Sequence, residues 1–173
     1  VAGMYGSRGS GEIPCSGDGT GPDKSVSAIA RRCLKKGTIA KLDGEIWIGG
    51  NELNAAPLDD VRKLRGSRMA MIFLDPLSAL HPYYTVGNQI NEAYKVHHRS
   101  ASKSAVRSHV IDMLGRVGIP NPQKRIDQYP HEFSGGMRQR AMIAMALANS
   151  PRLPIADEPT PPLHVTLPAQ ILD

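Results

Sequence analysis

The stretch FSGGMRQRAMIAMALA, residues 133–148, is the segment from which the fold prediction starts. It predicts a helix with an unusual first turn. Ser134 is a typical N-cap residue, and Gly135 and Gly136 follow it directly. The amino end of a helix exposes unpaired N–H groups and has roughly half a positive charge, and glycines there let a ligand approach the backbone closely. Residues 141–148 are continuously apolar, which predicts that the rest of the helix is buried.

Two arginines stand in the first turns of this helix, where negative charge is usually preferred. Arg138 and Arg140 are each expected to cost about 0.3–1 kcal/mol through the helix dipole. A bound polyanion would reverse that sign, and phosphate is the usual ligand at a helix amino end. The alternative is that the arginines pair with Glu132 or another acid, and that the glycine pair is only a tight loop. This segment alone leaves both interpretations open.

A second apolar run, PIA at residues 154–156, ends on two adjacent acids, Asp157 and Glu158. At the carboxyl edge of a parallel sheet, such acids face the ligand crevice. One carboxylate there can hold Mg²⁺ through water, and its neighbour can orient or deprotonate a water molecule. The alternative is a pair of acids in a surface turn before Pro159.

The remaining pattern predicts an α/β chain with a helical segment in its middle. Glycine-bounded β-formers predict a strand at 44–53, an apolar run predicts a buried strand at 68–73, and helical signals occupy 57–66, 85–98 and 102–117. Ser102 is the expected N-cap of the last helix, and its apolar stripe consists of Val106, Val110, Met113, Leu114 and Val117. The predicted division is 1–77, 78–133 and 134–173.

Bulk composition limits the class of protein and the kind of partner. The net charge of +5 favours acidic partners such as phosphates without choosing among them. Aromatic residues make up only 5%, which argues against platforms for base stacking, so we expect no nucleic-acid partner. The longest apolar stretch is far too short to span a bilayer, and Cys15 and Cys33 have neither disulfide nor zinc-site spacing.

The two chemical motifs together resemble the nucleotide-binding domain of ABC transporters. SGGM at 134–137 resembles the signature loop of that family, and IADEPT at 155–160 resembles its Walker B strand. Residues 68–90 and 118–148 look like the subfamily that energises the import of dipeptides and oligopeptides. The resemblance runs from about Gly11 to the carboxyl terminus. It implies a P-loop NTPase-like, mostly parallel sheet with an inserted α-helical subdomain.

The resemblance also implies the roles of the motif residues. Ser134, Gly135 and Gly136 would bind the γ-phosphate of an ATP molecule that the opposite subunit holds. Asp157 would help to hold Mg²⁺, and Glu158 would be the catalytic base. Two such subunits would share each ATP in a head-to-tail dimer.

The expected P-loop, G-x-x-x-x-G-K-[ST], is present only in part. Lys24 and Ser25 supply its last two positions, with Ser25 also expected as an Mg²⁺ ligand. The two glycine positions fall on Asp18 and Asp23. A shifted loop, in which Gly19 and Gly21 approach the phosphates, is the alternative way to wrap the nucleotide.

Departures from the family pattern are expected to weaken nucleotide binding and stability. A non-glycine residue in a left-handed conformation costs about 1–2 kcal/mol, and a carboxylate about 4 Å from a phosphate charge adds about 4 kcal/mol at an effective dielectric of 20. Leu74 replaces an expected Mg²⁺-coordinating Gln, and His164 stands in the loop after Walker B. Pro154 is expected to delete a ladder hydrogen bond from a central strand.

The resulting prediction is an ATP-hydrolysing subunit of an importer for dipeptides or oligopeptides, with ATP and Mg²⁺ as cofactors. Its expected partners are membrane-embedded permease subunits, a second ATP-binding subunit and, indirectly, a separate substrate-binding protein. Its expected location is the cytoplasmic face of the inner membrane, as a peripheral protein. The alternative is a catalytically impaired fragment that keeps only the interaction surfaces, since family elements expected before Val1 and after Asp173 suggest truncation at both ends.

Overall fold

The computed structural model describes residues 45–48, 50–73 and 75–156 of this chain. Several sequence predictions lie outside these residues. They are the P-loop positions Asp18, Gly19, Gly21, Asp23, Lys24 and Ser25, the replaced glutamine at Leu74, the acids Asp157 and Glu158, and His164.

Strands and helices follow one another in the described chain as the sequence predicts. The elements are β1 (Trp47–Ile48), β2 (Asn51–Glu52), α1 (Leu58–Leu64), β3 (Met69–Ile72), α2 (Pro76–Ala79), α3 (Val86–Lys95), α4 (Lys103–Arg116), α5 (Pro122–Arg125), a 3₁₀ turn (Pro130–Glu132), α6 (Gly135–Leu147) and β4 (Leu153–Ala156). The two sheets that these strands form each contain two described strands.

The stretch predicted as one strand at 44–53 is a hairpin of two short strands. β1 pairs with β2 in the antiparallel sense, with Trp47 opposite Glu52. Gly50 has φ of 82°, a conformation that glycine adopts without the steric cost other residues meet. The strand prediction is therefore confirmed in type, but the chain reverses at Gly50 instead of continuing as one strand.

β3 and β4 form the parallel pair that the fold prediction requires. Met69 lies opposite Leu153 and Ile72 opposite Ala156, and the Leu153 N–H donates to the Arg68 carbonyl at 3.0 Å. Met69, Ala70 and Met71 are all buried. All the helices from α2 to α6 lie in the connection between these two strands.

Pro154 lies inside a strand as predicted, but it removes no hydrogen bond between β3 and β4. Along a strand, the N–H groups of successive residues point to opposite edges. The Leu153 N–H points to β3, so the nitrogen of Pro154 points to the far edge of β4. Pro154 is exposed. The expected loss of a ladder bond is therefore wrong for the β3–β4 pair, because the register turns the nitrogen of Pro154 away from β3.

The helix signals read from the sequence are confirmed by the cap geometry of α4. The Ser102 hydroxyl accepts a hydrogen bond from the Ala105 N–H at 3.2 Å. The five residues of the predicted apolar stripe are all buried. Gly118, with φ of 78°, follows the end of the helix. No helix among the described residues combines the length and the apolar character that a membrane span requires.

Most of the buried side chains belong to one core, built by the helices. Residues of α3, α4 and α6 meet there, joined by Phe133 and Ile126. A second, smaller cluster of Leu53, Val61 and Met69 lies beneath the hairpin, α1 and β3. The apolar half of α6 is buried on several sides, since residues 141–144 are all inaccessible. The predicted division of the chain into three segments stays a prediction.

Candidate functional site

The amino end of α6 has the N-cap that its sequence predicts. The Ser134 hydroxyl accepts a hydrogen bond from the Met137 N–H at 3.3 Å. The Ser134 carbonyl accepts from the Arg138 N–H at 2.9 Å. These two bonds close the first turn and leave the N–H groups of Gly135 and Gly136, which make no hydrogen bond within the described part of the chain.

Residues Ser134–Gly136, the α6 tip, are open to a ligand. All three residues are exposed, and a Cβ atom placed on either glycine would meet nothing within 4 Å. The two free amide donors lie at the positive end of the helix dipole, and the Ser134 hydroxyl keeps its own proton to donate. This combination of donors suits the oxygens of a phosphate group.

The side chains of Arg138 and Arg140 each donate to a backbone carbonyl. Arg138 Nε donates to the Pro130 carbonyl at 2.8 Å, and Arg140 Nη1 donates to the Gly118 carbonyl at 2.8 Å. Glu132 instead accepts from the Tyr129 N–H at 2.7 Å. The ion pair with Glu132 is therefore wrong, and within the described part of the chain neither arginine forms an ion pair with an acid.

The short turn before the tip fixes the direction in which the chain enters α6. The Glu132 carboxylate closes this turn on the Tyr129 N–H, and the Phe133 N–H donates to the Pro130 carbonyl at 3.1 Å. The Phe133 side chain is buried in the helical core. Because buried side chains and hydrogen bonds hold this turn, Ser134 begins the helix from a defined position.

The end of β4 places the second predicted motif. Residues 148–152 connect the carboxyl end of α6 to the amino end of β4. Asp157 and Glu158 directly follow β4 but lie outside the described residues. Of the predicted site residues, the structure therefore brings together Ser134, Gly135 and Gly136.

An exposed aromatic loop at residues 81–84 is a surface that sequence reasoning missed. Tyr83 is 83% exposed and Tyr84 is 57% exposed. The Gln89 side chain accepts from the His81 N–H at 2.8 Å and donates to the carbonyls of His81 at 3.0 Å and Tyr84 at 2.9 Å. The loop is thus held in one shape although its rings face solvent. The only sequence signal was the run HPYY, with no apolar periodicity.

A groove of about 620 Å³ runs beside this loop along α3. Tyr84 connects the loop to the groove, and Glu92, Lys95 and Arg99 supply its charges. Val96, which is 58% exposed, adds an apolar wall. The loop and groove together form a mixed polar and aromatic surface on the helical part of the chain.

The profile of the family described as "ABC transporter" matches residues 28–161. This range is most of the chain. The chain belongs to the ABC transporter family. The matched range contains the α6 tip together with Asp157 and Glu158, and it begins after Lys24 and Ser25.

Relatives of this ABC transporter family member have names that refer to peptides. A probable peptide ABC transporter ATP-binding protein of Sinorhizobium fredii is 49% identical over 154 residues, which are 88% of this chain and 46% of the relative. The dipeptide transport ATP-binding protein of Escherichia coli is 47% identical over 154 residues, with 89% and 47% covered. The chain therefore spans about half the length of the curated relatives it matches.

Solved structures of ABC proteins share the fold of this chain. The dimeric structure of a post-hydrolysis state of an ATP-binding cassette bound to ADP and Pi has a TM-score of 0.70 and 26% identity, covering 86% of this chain and 61% of that one. A Clostridium perfringens protein that is part of an ABC transporter complex has a TM-score of 0.60 and 25% identity, covering 82% and 52%. The predicted P-loop NTPase-like α/β fold of the ABC ATPases is confirmed.

Proposed function

We propose that this chain is part of the ATP-binding subunit of an importer for dipeptides or oligopeptides, in which ATP hydrolysis drives transport. The main support is the α6 tip, because its two free amide donors lie in a sequence that matches the ABC transporter family. The names of the relatives at 47–49% identity support the class of substrate.

The α6 tip would bind the terminal phosphate of ATP. The Gly135 and Gly136 N–H groups and the Ser134 hydroxyl would donate to phosphate oxygens, with the ATP held mainly by the opposite subunit. Fixed donors of this kind stabilise negative charge without reorganising during the reaction. The dimeric state of the solved cassette bound to ADP and Pi is consistent with this sharing.

The other nucleotide contacts are proposed from the motifs alone. Gly19, Gly21, Lys24 and Ser25 would hold the phosphates within the same subunit, in a loop shifted from the usual P-loop register. Mg²⁺, when bound with ATP, would neutralise phosphate charge, with Ser25 and Asp157 as its protein ligands. Glu158 would orient and deprotonate the attacking water. The position of the two acids just beyond the carboxyl end of β4 favours these roles.

The proposed partners are membrane-embedded permease subunits and a second ATP-binding subunit. A separate substrate-binding protein would act with them indirectly, and we assign no nucleic-acid partner. The rigid aromatic loop at 81–84 and the groove along α3 support contact with the permease subunits, because exposed tyrosines are enriched at protein interfaces. The proposed location is the cytoplasmic face of the inner membrane.

Equilibrium binding of a fluorescent ATP analogue, with and without Mg²⁺, tests this function most directly. We expect Mg²⁺-dependent binding, and a rise in melting temperature with Mg-ATP, since a ligand at about 100 times its Kd stabilises the native state by about 2.7 kcal/mol. The Glu158→Gln variant should still bind ATP but should no longer hydrolyse it. Absence of any nucleotide binding would refute the proposal and leave the alternative, a chain that keeps only the interaction surfaces.

A further inference from the structure

Arg138 connects α6 to the turn that leads into it. Its Nε donates to the Pro130 carbonyl, which also accepts from the Phe133 N–H at 3.1 Å. Pro130 and Phe133 are both buried. A carbonyl oxygen has two lone pairs, and a buried polar group that loses its partner is costly. Arg138 therefore completes the hydrogen bonding of a buried carbonyl four residues before Ser134.

The backbone of Arg138 binds the other side of the same short segment. Its N–H donates to the Ser134 carbonyl at 2.9 Å, in the first turn of α6. Long side chains in helices lean toward the amino end, which is the direction in which this side chain reaches Pro130. One residue thus holds both the N-cap and the turn before it.

Arg140 offers a natural comparison on the same helix. Its guanidinium also donates to a backbone carbonyl at 2.8 Å, but that carbonyl belongs to Gly118, beyond the end of α4. The buried Nε of Arg140 has no hydrogen-bond partner. Arg140 therefore joins α6 to the end of α4 and makes no hydrogen bond with the turn at 130–133 within the described part of the chain.

We propose that Arg138 is a positioning residue for the α6 tip. Its bond to Pro130 fixes the direction in which the chain enters Ser134, and with it the direction of the Gly135 and Gly136 N–H groups. The consequence for ATP rests on the proposed function, because donors aligned within about 0.5 Å are what a phosphate site requires.

Amide hydrogen exchange in the full chain tests the positioning without any nucleotide. The N–H groups of residues 137 and 138 both bond to Ser134, so they report the order of the tip. Arg138→Met should raise their exchange rates about tenfold, as a loss of about 1.4 kcal/mol of local stability predicts. Arg140→Met removes the same charge and the same kind of bond, and should leave both rates unchanged. Equal effects of the two variants, or no effect of Arg138→Met, would overturn the proposal.

Self-association driven by Mg-ATP, measured by sedimentation, tests the functional consequence. Arg138→Met should weaken it about tenfold, equivalent to about 1.4 kcal/mol, whereas Arg140→Met should change it far less. Arg138→Lys keeps the charge and a donor, and should restore both association and exchange protection. If Arg138→Lys restored association but not the protection of the amides from exchange, the charge of residue 138 alone would matter. That result would overturn the proposed positioning role of Arg138. If the unaltered chain does not associate, the proposed function fails, and the exchange rates alone decide the role of Arg138.

Discussion

Gly87 allows α3 to lie directly against the end of α5, so a methyl group at this position should destabilise the fold. The Gly87 N–H donates to the Ile126 carbonyl at 2.9 Å. A Cβ on Gly87 would overlap with Ile126 Cγ1 and would lie 2.5 Å from the Ile126 carbonyl oxygen. The side chain of Ile126 can move, but its carbonyl is held by this hydrogen bond and by the end of α5.

The magnitude follows from three contributions to the free energy of unfolding. Relieving the overpacking costs about 1–3 kcal/mol, and stretching the Gly87–Ile126 bond costs about 1 kcal/mol. Alanine returns about 1 kcal/mol through its higher helix propensity. The net loss for Gly87→Ala is therefore about 2 kcal/mol, which lowers the melting temperature of a chain of this size by about 4–8 °C.

Gly115 in α4 supplies the matched control for this substitution. A Cβ there would meet only Pro122 Cγ, at an ordinary contact distance of 3.9 Å. Gly115→Ala should therefore raise the melting temperature, by about 2–4 °C for a gain of about 1 kcal/mol. Thermal unfolding followed by circular dichroism measures both variants. If Gly87→Ala were as stable as Gly115→Ala, the close approach of α3 to Ile126 would be wrong.

Four further substitutions test three other features of the structure. Ser150 has φ of 49°, a left-handed conformation that strains a residue other than glycine. Ser150→Gly should therefore stabilise the chain by about 1 kcal/mol in chemical denaturation. An unchanged denaturation midpoint would contradict the strain at Ser150. Ser134→Ala and Ser102→Ala should each lower the free energy of unfolding by about 1 kcal/mol, because each removes an N-cap. Only Ser134→Ala should also weaken Mg-ATP binding. If both variants bound Mg-ATP equally well, Ser134 would not belong to the site. The hydrogen bond from Arg107 lowers the pKa of Asp127. The stability that this Arg107–Asp127 pair contributes is therefore complete above the unfolded-state pKa of about 3.9 and is lost at lower pH. The melting-temperature difference between the unaltered chain and Asp127→Asn should therefore shrink below about pH 4. A difference that grows below this pH would contradict the lowered pKa of Asp127.

Features that depend on near neighbours in the sequence were predictable. The cap at Ser102, the buried stripe of α4 and the cap at Ser134 each involve residues within a few positions of one another, where spacing alone determines contact. The resemblance of two short motifs to the ABC transporter family gave the fold class, and the family match confirmed it.

Features that depend on contacts distant in sequence were not predictable. The acceptor of Arg140 is 22 residues away, and no residue pattern marks a backbone carbonyl as the partner of a guanidinium. Arg138 and Gln89 find partners only eight and five residues away, but those partners lie in turns whose shapes emerge only from packing. The same holds for Pro154, since the phase of a strand relative to its neighbour depends on register and not on composition.

The orientation of Pro154 has a consequence for assembly outside the native fold. Any segment that pairs along the far edge of β4, from this chain or from another molecule, meets one position without an amide donor. Unprotected strand edges are the usual templates for amyloid-like stacking, and proline is one of the residues that interrupt them. The proline that looks like damage in the sequence thus leaves the ladder between β3 and β4 whole and makes the far edge of β4 a poorer template for aggregation.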